Sequence, residues 1–151
     1  VVVGFSNGAF MAHRLACDVP RVGAIVAIAG AVPGPTDPPC KPTRPVRVVV
    51  IHGDADAVVP YAGGPLLGDT SRVVPSAAET AGGWAQHNGC GALGAPKRTD
   101  LVKKLEGSET RIEVYEGCRE PVELWTVEGA DHLGVLSRDL VRAAVSRALG
   151  R

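Results

Sequence analysis

No sign of charge predominates: 16 Lys and Arg balance 16 Asp and Glu. There is thus no basic field to hold a nucleic acid or an anionic membrane, and neither is expected as a partner. Long apolar runs are missing too, the longest, Val22 to Val32, falling well short of the ~20 residues a membrane-spanning helix requires. The four cysteines, Cys17, Cys40, Cys90 and Cys118, show no C-x-x-C spacing, which argues against a zinc or redox site, and no metal or cofactor is expected. They are read as two disulfides or as four buried thiols, and their even number weighs toward disulfides without deciding it. No internal repeat, low-complexity tract or second-domain boundary interrupts the 151 residues, whose 45% apolar and 21% charged composition suits one globular core.

What is there is a succession of buried strands and amphipathic helices. Val1 to Phe5 reads as a short apolar strand, followed from Asn7 to about Cys17 by a helix with Phe10, Met11, Ala12, Leu15 and Ala16 as its apolar stripe. Gly23 to Ala29 and Val46 to Ile51 are continuous apolar runs without alternation, as strands buried on both faces are. Between them, Gly30 to Pro45 holds six prolines and reads as an irregular loop. A Gly/Pro-rich loop is expected through Gly68, a helix from Ser76 to about His87 despite Gly82-Gly83, and mostly loop from Ala92 to Glu109. Arg111 to Tyr115 and Val122 to Val127 read as a hairpin-like pair. Ser137 is placed to cap a last helix whose apolar face is Leu140, Val141, Ala144, Val145, Ala148 and Leu149. The alternation predicts an α/β fold, a mostly parallel sheet with helices on both faces.

The chemistry is carried by Gly4-Phe-Ser-Asn-Gly8. A G-x-S-x-G stretch between a strand and a helix is a nucleophile elbow: the serine backbone is strained, and side chains at the two flanking glycines are expected to collide as strand turns into helix. Ser6 is the candidate nucleophile and the Asn7 N–H, at the positive end of a helix, the candidate oxyanion donor. A serine hydroxyl needs a histidine base and an orienting carboxylate, in the chain order Ser, Asp, His. His132, between the last strand and the last helix, fits as the base, whereas His13, His52 and His87 read as packing or exposed residues. Asp54 and Asp56 both lie just beyond the Val46 to Ile51 strand, and spacing does not choose between them. The one not used is expected to form a local Asx turn, and Asp131 to be a solvated turn residue.

The stretches GFSNGAFMAHRLAC, IHGDADAVVPYAGG, WAQHNGC and TVEGADH together resemble the secreted α/β-hydrolase esterases grouped as poly(3-hydroxybutyrate) depolymerases and feruloyl esterases. The resemblance runs through nearly the whole chain. It implies an α/β-hydrolase fold and an extracellular location. It also implies that the carboxylate is the last residue of an H-G-x-x-D segment, Asp56, and that the base closes a V-E-G-x-x-H segment, His132. Cys90 with Cys118 and Cys17 with Cys40 are the disulfides it implies. Where such esterases continue with a Trp-Pro-Gly-like segment after the histidine, this chain has Leu133-Gly134-Val135, so an aromatic wall of the pocket is missing.

The expected reaction is ester hydrolysis through an acyl-enzyme, on short polyhydroxyalkanoate esters or feruloyl and acetyl esters of polysaccharide; the substrate is then an ester, in some cases polymeric. A serine peptidase on the same fold and a catalytically silent hydrolase fragment are the alternatives. In an α/β-hydrolase the elbow follows a central strand, so the N-terminal strands are absent here. Residues 1–151 are accordingly expected to be the C-terminal portion of a single catalytic domain whose upstream half supplies a second oxyanion donor.

Overall fold

The computed structural model describes residues 1–34 and 38–151. Five of the expected strands form as read: β1 (Val2–Phe5), β2 (Ala24–Ile28), β3 (Arg47–Gly53), β7 (Thr110–Val114) and β8 (Val122–Val127). So do three helices, α1 (Asn7–Asp18), α2 (Ala77–Asn88) and α3 (Arg138–Ala148). Of the proline-rich loop expected between β2 and β3, positions 35–37 lie outside the described residues.

The main sheet runs in the order β1-β2-β3-β8-β7-β6, with β6 at Lys97–Thr99. β1, β2, β3 and β8 are mutually parallel, and β7 and β6 are added antiparallel. Alternate residues of the parallel strands face opposite layers. Ile25, Val48, Val50, Val122 and Leu124 pack with Ala12 and Ala16 of α1 and Ala81 and Trp84 of α2. Val26, Ile28, Val49, Ile51, Trp125 and Val127 pack with Leu140, Ala144 and Ala148 of α3. Both faces are covered, which is why these strands read as unbroken apolar runs.

Local chemistry sets the helix ends. Ser76 and Glu79 make a capping box, with the Glu79 amide donating to Ser76 Oγ at 3.0 Å and the Ser76 amide donating to Glu79 Oε2 at 2.8 Å. Gly89, left-handed at φ 69°, closes α2. The burial of Trp84 and Ala85 holds the helix through Gly82-Gly83. Ser137 caps α3 as expected, but Leu149 is not on its buried face: it follows the last helical residue and is 49% exposed.

Three short strands form in or beside the loops expected there. β4 (Gly64–Leu66) and β5 (Asp69–Val74) pair as an antiparallel hairpin. Leu67 and Gly68 make its two-residue turn, both at positive φ as the primed hairpin turns require. A leucine is an unusual occupant of that conformation, which hid the turn. β6 pairs with β7 over only three residues at the sheet edge. The two disulfides are Cys17–Cys40, which ties α1 to the loop after β2, and Cys90–Cys118, which ties the end of α2 to the turn between β7 and β8. Among the described residues no helix is long and apolar enough to cross a membrane.

Candidate active site

β1, β3 and β8 are parallel, so their C-terminal ends emerge at one edge of the sheet, where the segments after them meet. Ser6 follows β1, Asp56 follows β3, and His132 follows β8.

Ser6 sits at φ 53° and ψ −118°, off the ordinary regions for an L-residue. Such strain, about 1–3 kcal/mol, persists only where surroundings over-determine it. They do here: the Ser6 amide donates to Ile28 O at 2.8 Å, and its carbonyl accepts from the amides of Ala9 and Phe10. The turn is so tight that a Cβ on Gly4 would lie 2.0 Å from the Gly8 carbonyl oxygen. The expectation that both glycines avoid a collision is corrected for Gly8, where an added Cβ meets nothing within 4 Å; it is the backbone of Gly8 that Gly4 must clear. Asn7 opens α1, so its amide has no acceptor within the helix, and Asn7 and Ser6 line one cavity.

The structure brings Ser6, His132 and Asp56 together. His132 Nδ1 lies 2.8 Å from Asp56 Oδ2 and His132 Nε2 lies 2.9 Å from Ser6 Oγ. A carboxylate only accepts, so Nδ1 carries the proton, and in the neutral ring Nε2 is left bare to accept from the Ser6 hydroxyl. The ring leans on Phe5 with centroids 5.0 Å apart. Asp56 is buried, and its Oδ1 accepts from the amides of Val58 and Val59, each at 2.9 Å.

The neighbouring aspartates have other work. Asp54 Oδ1 accepts from the Gly129 amide at 2.7 Å, bracing the segment that carries His132; this is a long-range bond rather than the expected local Asx turn. Asp131 is the exposed turn residue expected, its Oδ1 accepting from the amides of Leu133 and Gly134. The two loops can meet because Gly53 has no side chain: a Cβ there would stand 2.2 Å from Ala130 O.

His52 is the residue that sequence reasoning missed. It is fully buried, its Nε2 donates to Val59 O at 2.9 Å, and the same nitrogen lies 3.3 Å from Asp56 Oδ2. The carbonyl of Val59 cannot donate, so the proton is on Nε2 and the unpartnered Nδ1 is bare. Burial lowers the pKa of His52, against the smaller opposing pulls of its bond to Val59 and of Asp56, and the ring is neutral at pH 7. Asp56 Oδ2 thus faces two histidine N–H groups, His132 at 2.8 Å and His52 at 3.3 Å. The signal available was the i, i+4 spacing of His52 and Asp56 across one strand end. His13 is a packing residue as read, buried with Nδ1 accepting from Trp84 Nε1 at 3.0 Å, and His87 Nε2 bonds to Arg44 O.

A strained serine between strand and helix, facing histidine and carboxylate over a parallel sheet, defines an α/β-hydrolase. Comparison with known proteins agrees. Residues 1–73 match the Phospholipase/Carboxylesterase family. Feruloyl esterase B of Piromyces equi is 32% identical over 146 residues, covering 85% of this chain and 24% of that one. NocK of Nocardia uniformis subsp. tsuyamanensis is 40% identical over 62 residues, 40% of this chain and 18% of that one. The crystal structure of esterase PE8 superposes with a TM-score of 0.54 at 23% identity, covering 98% of this chain and 48% of its own. The chain therefore spans less than half the length of each of these relatives. It shares the α/β-hydrolase fold and is similar in sequence to esterases.

Proposed function

We propose that the chain carries the catalytic triad of a serine carboxylic-ester hydrolase, and the observation that carries this reading is the unbroken relay Ser6 Oγ, His132, Asp56 at 2.9 and 2.8 Å. Ser6 Oγ attacks the ester carbonyl while His132 Nε2 takes its proton. Asp56 holds the ring in the one tautomer that can do so and stabilises the imidazolium. The Asn7 N–H, with the first turn of α1 behind it, faces the oxygen on which charge develops. His132 then returns its proton to the leaving alcohol, and water, activated by the same nitrogen, frees the acid from the acyl-serine. Feruloyl or acetyl esters of polysaccharide and short hydroxyalkanoate esters are the substrate classes we infer, the first from the similarity to feruloyl esterase B and the second from the motif resemblance. Two disulfides suit an oxidising, extracellular setting.

The upstream half of the domain is part of this reading. The two edges of the sheet differ: β6 is short and presents Lys97 and Arg98, the charged edge that resists further pairing, whereas at the other edge Val3 of β1 is 46% exposed and Val1, just before it, 55%. We infer that a preceding strand pairs with β1 and that the segment feeding it supplies the second oxyanion donor. Residues 1–151 expressed alone are then expected to self-associate and to turn over poorly; a monodisperse monomer with full esterase turnover would refute that part.

The test of the triad is p-nitrophenyl acetate hydrolysis by the complete natural protein. Ser6→Ala abolishes it, Asp56→Asn lowers kcat by about 10³–10⁴-fold through the wrong tautomer, and Asp54→Asn, which keeps the oxygen that Gly129 uses, has little effect. Equal losses at the two aspartates, or turnover that survives Ser6→Ala, overturn the assignment.

A further inference from the structure

A cavity of about 430 Å³ opens directly beside Ser6 and Asn7. One wall is α1, through Phe10 and Met11. The other is the Asp56 loop, through Val58 and Val59, continued by Leu66 and Arg72 of the β4–β5 hairpin. The hairpin is fastened to that loop by the Leu67 amide, which donates to Val58 O at 3.1 Å. The slot is thus lined mostly by apolar side chains and is of a size for a small acyl or alcohol chain.

Its charge is one-sided. Two arginines, Arg14 and Arg72, line it, and no Asp or Glu does among the described residues. Arg14 is already committed: Nε and one terminal nitrogen go to the two oxygens of Asp18, and the other terminal nitrogen donates to Pro38 O at 2.7 Å. Arg72 is exposed and has no hydrogen bond or ion pair with any described residue. The nearest acid on its strand, Asp69, is occupied by the hydroxyl and amide of Ser71, which are the main reason its pKa is low; Arg72 contributes least. A guanidinium with no partner among the described residues, on the wall of a mostly apolar slot, is a receptor for a planar anion, since its fork matches the two oxygens of a carboxylate.

We propose that Arg72 is a specificity-determining residue that receives a carboxylate at the far end of the substrate, so that the site favours esters ending in a free acid. An oligomeric hydroxyalkanoate is such an ester, each of its linear chains having one carboxyl end, whereas a neutral aryl or acetyl ester is not. This rests on the reading of Ser6, His132 and Asp56 as an esterase triad.

The experiment compares matched p-nitrophenyl esters on the complete natural protein: the mono-esters of glutaric and adipic acid against the neutral butyrate and valerate. Wild type is expected to favour the acid-terminated members, with the preference residing in KM and weakening as salt is raised, because the guanidinium is exposed and screened. In Arg72→Gln the charged-to-neutral ratio of kcat/KM falls about five- to tenfold, as the loss of a charge-assisted pair implies, and Arg72→Lys keeps part of it. A ratio that is the same in wild type and Arg72→Gln, or no preference for the acid-terminated esters in wild type, overturns the proposal while leaving the triad standing. Failure of wild type to hydrolyse either series, or hydrolysis that survives Ser6→Ala, shows instead that the triad reading has failed, and the role of Arg72 falls with it.

Discussion

Replacing His52 by leucine removes one of the two histidine N–H groups that face Asp56 and leaves the other, on His132, in place. The His52 proton is shared between Val59 O at 2.9 Å and Asp56 Oδ2 at 3.3 Å, so the carboxylate receives the weaker share. A hydrogen bond to a charged group contributes about 1.5–3 kcal/mol, and the long, shared geometry puts this one at the lower end. Because Asp56 orients His132, a loss of about 1.5 kcal/mol there lowers kcat by roughly tenfold with little change in KM. A second variant separates positioning from mere packing: His52→Gln, which keeps an N–H₂ donor, restores part of the loss, whereas the space-filling leucine does not. The assay is initial-rate hydrolysis of p-nitrophenyl acetate, with circular dichroism to confirm folding. A folded His52→Leu enzyme with unchanged kcat would refute the reasoning.

Two further outcomes follow from steric and proton bookkeeping. Gly4→Ala puts a Cβ 2.0 Å from the Gly8 carbonyl, a backbone contact that cannot relax without opening the elbow, so soluble, active protein is not expected; Gly8→Ala meets nothing and gains up to about 1 kcal/mol of helix propensity, a small rise in Tm read by thermal denaturation. His13 has its pKa lowered from 6.5 to about 3 by burial. Between those values the unfolded chain binds a proton at His13 that the folded chain refuses; its share of stability is fully present above about pH 6.5 and is lost, at about 1.4 kcal/mol per pH unit, as pH falls toward 3. His13→Met, read by urea unfolding at stepped pH, leaves Trp84 Nε1 without its acceptor and is less stable near neutrality, but its stability declines less steeply on acidification; parallel curves for the two proteins would contradict the assignment.

The parts of the site that could be read from the chain were those decided by short-range backbone geometry. Val1 to Phe5, Gly4 and the helix from Asn7 specify the elbow within a dozen residues, because strand, tight turn and helix each leave a local mark. Runs such as Ile25 to Ile28 and Val48 to Ile51, apolar at every position, announce a sheet covered on both faces. From parallel strands it follows that their C-terminal ends share an edge, which is why Ser, Asp, His in chain order was enough to anticipate a meeting of residues 126 and 76 positions apart. Choosing Asp56 over Asp54 on physical grounds required more than spacing. The choice turns on Gly53 lying against Ala130 and on Asp54 being drawn to the Gly129 amide, contacts between two loops that no pattern within either loop encodes. The same holds for His52, whose neighbours became known only once the chain after β3 had folded back toward it, and for the β4–β5 hairpin, whose turn uses a leucine where glycine or asparagine would have declared it. Those less legible elements line the cavity beside Ser6 or adjoin it: Arg72 and Leu66 come from the hairpin, and Asp56 comes from the loop to which the hairpin is fastened. The scaffold that carries Ser6 was therefore legible, whereas the cavity wall opposite it, being built from loop-to-loop contacts, was not.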